Sequence, residues 1–533
     1  MVQMPTAEEF AALQQALAEA TRRSESLVGE LRVVRTERDL LKEQLNKFKR
    51  QLFAAKSEAS ARDQKDMFFN EAEDLGADAQ PAEEELEDDD TVTVPAHKRA
   101  KRGRKPLDPA LAREVVRHEL PEAERMCPHD GATLQEIGVE ASEQLDIIPQ
   151  QVRVIRHERV KYACPCCDFA LRLAAKPEQV IPKGLFSEGL LAWVITSKYM
   201  DGLPLYRQAA LLARFGGSDI SRNTMAASVV RVGQAVQPVI NLLRDLVLEA
   251  PLIYGDETHI QVLKEAGKAA RSKSFMWAQM TEGSGPEGTG PPIRLFAYSP
   301  SRSTEAAQRL YAGVRAGAVL ITDGYEVYNQ IALAHRLVHL GCWAHCRRYF
   351  HEALQALPKN KRGADQLAAQ FMELIAKLYR AEAQGREHAL DAHALKQLRQ
   401  QHSAPVLDGI EALLLANLHA VLPASLLGKA LHYLSSQWSK LKLFVDDGHH
   451  PIDNNPCENS IRPFVVGRRN WLFADTVAGA NASANLYSLL QTCKVNGIDG
   501  YQYLRALLVA LPRAKTADDY EALLPWRIAL PST

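Results

Sequence analysis

No apolar run in this 533-residue chain approaches the ~20 residues needed to cross a bilayer, and the opening MVQMPTAEEF lacks the basic-then-apolar order of a secretory signal. A cytoplasmic protein without a membrane anchor is the expectation. Cysteine is scarce, eight in all, and three of the eight crowd into CPCC (Cys164, Cys166, Cys167). In a reducing compartment that clustering favours metal binding over a disulfide framework. Net charge is nearly absent as well: Lys plus Arg (64) and Asp plus Glu (65) leave a formal −1. The balance excludes a uniformly basic or acidic protein, but the charges are segregated along the chain, so strong local fields remain. The length exceeds what one hydrophobic core organises, and roughly three to five structural units are expected.

What is present begins with heptads. Leu13, Ala20, Leu27, Val34, Leu41 and Phe48 keep one register, and Phe10, Leu17, Leu31, Leu45 and Leu52 the other. This is the seam of a coiled coil over 1–53 that would pair protomers, interrupted by Ser24 and Arg38. An acidic tract follows, EAEDLGADAQPAEEELEDDD, too charged to bury a core, so 54–96 reads as a disordered linker. The segment 97–114 carries HKRAKRGRKPL, in which Arg102, Arg104 and Lys105 surround a glycine. An extended basic stretch of this kind fits a narrow minor groove, where negative potential is concentrated.

Short strand-like runs between 115 and 180 carry two knuckles about 35 residues apart, as in a small zinc ribbon. Cys164 and Cys167 have ligand spacing, Cys127 is the third ligand, and the fourth falls to Asp130 or His129. Residues 181–250 are helical in period. LYRQAALLARF, a Gly216-Gly217 turn and SDISRNTMAASVV have a helix-turn-helix layout, with Arg222 and Asn223 at the start of the second helix, where base edges are read.

Buried strands appear at 251–349: LIYGDETHIQVL, SFMWAQM, IRLFAYSP, AVLITDG and RLVHLGCWAH, a mixed α/β sheet. Asp256 sits within the first strand and Asp323 ends the fourth, costly positions for a carboxylate unless a positive group meets it. After a helical insertion at 350–445, the segment 446–490 holds DNNPCENSIRP. There Asn455 is expected to cap a helix and Glu458 to stand in its first turn. Two strand aspartates and a helix glutamate meeting at one sheet edge would hold two Mg²⁺, or Mn²⁺, ions and activate water against a phosphodiester. Glu257 alternates to the other strand face, and Asp453 is expected to shape the turn. Arg462, one turn past Glu458, would meet a DNA phosphate, with Arg468 and Arg469 extending the track. Residues 491–533 read as an amphipathic helical tail.

The strings YGDETHIQVL, YSPSRS, ITDGYEVYN, GCWAHCRR, PIDNNPCENSIRP and GRRNWLF closely resemble the signatures of insertion-sequence-66-type transposases of the DDE class. The resemblance covers most of the chain, in the family's order. It implies a multidomain α and α/β protein whose catalytic core is ribonuclease-H-like, with Asp256, Asp323 and Glu458 as the triad. Asp256 would bridge both metal ions, with Asp323 and Glu458 each completing one. It also implies end cleavage and strand transfer on DNA bearing terminal inverted repeats, a target DNA, and companion proteins of the same element as partners. His345, in the Cys-x-x-His string, is expected near the scissile phosphate. The alternatives are a transposase descendant that binds DNA without chemistry, or another nuclease of the same fold.

Overall fold

The computed structural model describes residues 178–530 except 217–219, 284–289, 359 and 361, together with 152–158, 161–163, 171–173 and the helical residues 19, 21–23, 34, 37, 38, 41 and 45. Val34, Leu41 and Leu45 of the heptad region are exposed. The basic residues Arg102, Arg104 and Lys105, and the expected zinc ligands Cys127, His129, Asp130, Cys164 and Cys167, lie outside the described residues. Two strands, β1 (Lys161–Ala163) and β2 (Leu171–Leu173), pair antiparallel and bracket the CPCC segment in sequence. The chain divides into two units. One comprises 81–155 and 212–218, and within it the Val152 N–H donates to the Phe215 carbonyl at 3.3 Å; the other comprises 1–80, 156–211 and 219–533.

Four helices precede the main sheet: α1 (Glu188–Tyr199), α2 (Leu205–Arg214), α3 (Arg222–Ala235) and α4 (Gln237–Glu249). The hydroxyls of Ser187 and Ser221 cap α1 and α3, accepting the N–H of Leu190 and Thr224. Gly216, between α2 and α3, has φ +88°, a conformation that only glycine adopts without strain. Arg222 and Asn223 are exposed at the start of α3, while Met225, Val229, Val232 and Gly233 are buried on its other side.

The sheet is built from β3 (Leu252–Lys264), β4 (Lys273–Thr281), β5 (Ile293–Ser299), β6 (Val319–Thr322) and β7 (Val338–Gly341), in the order β5-β4-β3-β6-β7. The β3–β4 and β4–β5 pairs are antiparallel, while β3–β6 and β6–β7 are parallel. Helices α5 (Thr304–Leu310) and α6 (Val327–His335) make the crossovers that parallel pairing requires.

After β7 come α7 (Trp343–Ala356), α8 (Leu367–Glu387), α9 (Ala392–Leu398), α10 (Ala404–Asn417) and α11 (Leu426–Leu441). Together they bury their own core, in which Phe350 stacks on Phe371 at 4.5 Å. A π-helical turn at Arg399–Ser403 joins α9 to α10 and holds the buried Arg399. Its guanidinium makes two 2.7 Å bonds to the Glu382 carboxylate and donates to the Phe444 and Asp447 carbonyls. Removing one member of such a pair strands a buried charge. Glu382→Ala is therefore expected to lower unfolding stability by about 3–5 kcal/mol, measured by denaturant melts; a loss below ~1 kcal/mol would mean that water reaches the guanidinium.

The chain returns through α12 (Asn455–Trp471), β8 (Ala474–Thr476), which pairs with the far end of β3, and α13 (Val477–Val495), followed by α14 (Gly500–Ala510) and α15 (Ala517–Glu521). Within 491–533, α14 is amphipathic, burying Tyr503, Leu504, Leu507 and Leu508 while Arg505 and Val509 are exposed; the preceding α13 is more deeply enclosed. Every residue from Ala482 to Cys493 is buried, because α13 is covered on one side by β5 and on another by α3. The Ser488 hydroxyl accepts the Phe296 N–H at 2.8 Å, and a side chain on Gly233 would collide with Ala482. No helix among the described residues is long and apolar enough to cross a membrane.

Candidate active site

Register brings the two strand aspartates together. Tyr254 of β3 pairs with Ile321 of β6. Asp256 and Asp323 each lie two residues beyond that last pair, so side-chain alternation carries both toward one face at the same end of the two strands. Asp323 falls just beyond its strand, where Gly324 turns the chain with φ +96°. Its Oδ1 accepts the Tyr325 N–H at 2.9 Å and its carbonyl accepts the Tyr433 hydroxyl at 2.5 Å, so strand end and α11 both fix it.

Helix α12 supplies the third acid. The Asn454 side chain donates to the Gly255 carbonyl at 3.0 Å, tying the helix start to the backbone beside Asp256. The helix has no side-chain cap at the Asn454 position, where the side-chain oxygen is buried without a donor. Asn455, expected as the cap, is instead the first helical residue, with its N–H bonded to Asp453 Oδ1 at 3.1 Å. Asp453 thus shapes the turn as expected, and its other oxygen accepts the Tyr379 hydroxyl at 2.8 Å.

The electrostatics place the acids in one site. Burial pushes the Asp256 carboxyl well above the usual range, and Asp323, Glu257 and Glu458 push it further, against the Glu257 N–H that donates to Oδ1 at 2.8 Å. Glu257 belongs to the cluster electrically although it alternates to the other face. Burial and then Asp323 raise it to about 7, opposed by the Tyr328 hydroxyl at 2.7 Å and by Arg302. Glu458 Oε2 accepts from Arg348 at 3.0 Å. Its Oε1 lies 3.1 Å from His345 Nδ1 without the alignment of a hydrogen bond, and it is a buried acceptor with no donor. Burial lowers the His345 pKa against the pull of Glu458, so the imidazole is held toward its neutral form.

Partly buried carboxylates that raise the Asp256 pKa supply oxygen donors of the kind a hard divalent cation prefers. Asp256, Asp323 and Glu458 suit Mg²⁺ or Mn²⁺ by donor type, while the ligand atoms that lie within 4.8 Å of one another among the described residues are those of Cys342, His345 and Glu458. Of the expected DNA contacts near this site, Arg462 is half-buried on α12 and Arg469 is exposed. Arg468 is turned inward: its guanidinium donates to the Thr258 hydroxyl at 3.1 Å and to the His259 carbonyl, holding α12 on β3. Sequence reasoning passed over Arg348 and Asn454. For Arg348 a signal was available, since the position three past His345 on a helix overlies it. The Asn454 bond, spanning 199 residues, left none.

Comparison with known proteins agrees with this architecture. The description "Transposase IS66 family" matches residues 183–482, and "IS66 C-terminal element" matches 488–526. "Zinc-finger binding domain of transposase IS66" matches 124–168, and "Transposase C of IS166 homeodomain" matches 40–116. The chain belongs to the IS66 transposase family. Similar relatives from Sinorhizobium fredii include the uncharacterized protein y4qI, 33% identical over 440 residues (80% of this chain, 78% of the relative), and the uncharacterized protein y4jD, 31% identical over 428 residues (78% and 81%).

Proposed function

We propose that this chain is a DDE transposase with a ribonuclease-H-like core, which cleaves DNA at the ends of its element and joins the freed 3′ hydroxyl to target DNA. The observation that carries the reading is the placement of Asp256 on β3 and Asp323 just past the end of the neighbouring parallel β6, with Asp323 and Glu458 both close enough to disturb Asp256. The strand order, with an antiparallel three-stranded half and a parallel half, supports the same reading. Bound divalent ions would lower the pKa of an attacking water and offset charge on the departing oxygen. Asp256 and Asp323, set by the sheet, and Glu458, set by Asn454, would hold them. Arg348 fixes the Glu458 carboxylate, and neutral His345 stands beside it as a candidate proton acceptor from the nucleophile.

DNA is the partner in this reading, engaged at several points: the basic segment with Arg102, Arg104 and Lys105, the zinc-ribbon domain, Arg222 and Asn223 of α3, and Arg462 and Arg469 near the acids. Multi-point contact suits end recognition. The heptad helix would pair protomers, and the protein would work in the cytoplasm. Arg462→Ala is expected to weaken end binding and reduce the salt slope by about one; an unchanged slope removes Arg462 from the DNA path.

The test is direct. Purified protein with labelled element ends and Mg²⁺ is expected to nick at the repeat boundary, to bind without nicking in Ca²⁺, and to leave generic duplex intact. End binding without nicking in Mg²⁺ or Mn²⁺ would reject the catalytic reading and leave a DNA-binding descendant.

A further inference from the structure

Beside the hard carboxylate site stands a group of softer donors. Cys342, at the cap position of α7, and His345, in its first turn, face Glu458 across from α12. His345 Nδ1 is 3.4 Å from Cys342 Sγ and 3.1 Å from Glu458 Oε1, and all three ligand atoms lie within 4.8 Å of one another. Ligands about 2.0–2.3 Å from a tetrahedral zinc are themselves roughly 3.3–3.8 Å apart. Two edges of the trio, 3.4 and 3.1 Å, are near those that such an ion imposes, and the third is within 4.8 Å. The Cys342 sulfur also accepts the Asn454 N–H at 3.2 Å. Glu458 Oε1, buried and without a donor, is aimed into the same space.

We propose that Cys342, His345 and Glu458 form a second metal site, selective for a thiophilic divalent ion such as Zn²⁺, and that its occupation withdraws Glu458 from Asp256 and Asp323. Thiolate and imidazole select Zn²⁺ over Mg²⁺, whose preference is for oxygen. Binding exchanges the thiol proton for the metal, the proton leaves to solvent, and nothing is oxidised or reduced. A water or phosphate oxygen takes the fourth position. Because one glutamate cannot serve two ions with different demands, Zn²⁺ here is an inhibitor of Mg²⁺-supported cleavage. That consequence rests on the catalytic reading above; the binding does not.

Cobalt, a spectroscopic substitute for zinc, tests the site on the full chain. Titration of wild-type protein with Co²⁺, followed by its thiolate-to-cobalt absorption and by bound metal per chain, is compared with Cys342→Ser and His345→Ala. Each variant is expected to bind one equivalent fewer, while the thiolate absorption of the zinc-ribbon cysteines remains. Unchanged equivalents in His345→Ala, which removes a ligand without touching a buried thiol, would overturn the site. Added Zn²⁺ is expected to slow Mg²⁺-supported end cleavage at least tenfold; full activity with the site filled would overturn the inhibitory role. Absence of cleavage in every metal would instead count against the catalytic reading, and the cobalt titration would still decide the site.

Discussion

Asp256→Asn is expected to abolish end cleavage, by about a thousandfold or more, while making the metal-free protein more stable. The loss follows from removing the central charge of the cation site, on the scale by which single electrostatic stabilisers act on a transition state. The gain follows from the state of Asp256 in the metal-free fold. It is buried and pushed well above the usual carboxylate range by desolvation and by Asp323, Glu257 and Glu458. Asparagine keeps the shape and the acceptor for the Glu257 N–H while removing the charge. Relief of each ~1 kcal/mol raises the melting midpoint by about 2–4 °C in a domain of this size. Thermal melts without metal, beside cleavage of labelled ends, read both effects. Lower stability in Asp256→Asn would mean that the carboxylate is satisfied within the fold and not held in reserve for an ion.

A pH dependence with an unusual sign is the second large effect. Glu257 holds its proton in the folded protein up to about 7, against 4.5 for an ordinary glutamate. Between those values the folded state binds more protons than the unfolded one, so its stability falls as pH rises. The Glu257 contribution is complete below 4.5 and gone above about 7, worth roughly 3 kcal/mol across the window. Burial is the larger cause and Asp323 the next; the Tyr328 hydroxyl and Arg302 only moderate them. Glu257→Gln keeps an acceptor for Tyr328 and should flatten the slope, and Mg²⁺, by binding the folded state, should recover stability at pH 7 and above. The curve to measure is the wild-type minus Glu257→Gln difference in denaturant midpoint between pH 4.5 and 8. A difference that rises with pH would contradict the assignment.

Much of this architecture was legible because local pattern and burial agree. The β3 run LIYGDETHIQVL, the ITDG strand end and the SRNT helix start became the elements that their periodicity predicts, the last capped by Ser221. Asp256 stood out as a candidate because a carboxylate inside a largely buried strand has few structural uses. The α13 helix was harder: small residues such as Ala482, Ala484 and Ser488 give a weak amphipathic signal, and burial on all sides depends on what packs there.

The sequence by itself determined the helices and strands of the described core and the family to which the chain belongs, since these depend on periodicity, turn chemistry and motif, and it nominated Asp256, Asp323 and Glu458 as the acids of the proposed site. Tertiary structure alone decided that Glu257 shares the field of Asp323, that Arg468 turns inward to Thr258, and that Asn454 holds Gly255. It also decided that Cys342 and His345 stand beside Glu458. The physical reason is range. Side-chain alternation and helix capping act over a few residues, whereas Coulomb interactions and hydrogen bonds across the sheet act between groups that the chain separates by one or two hundred.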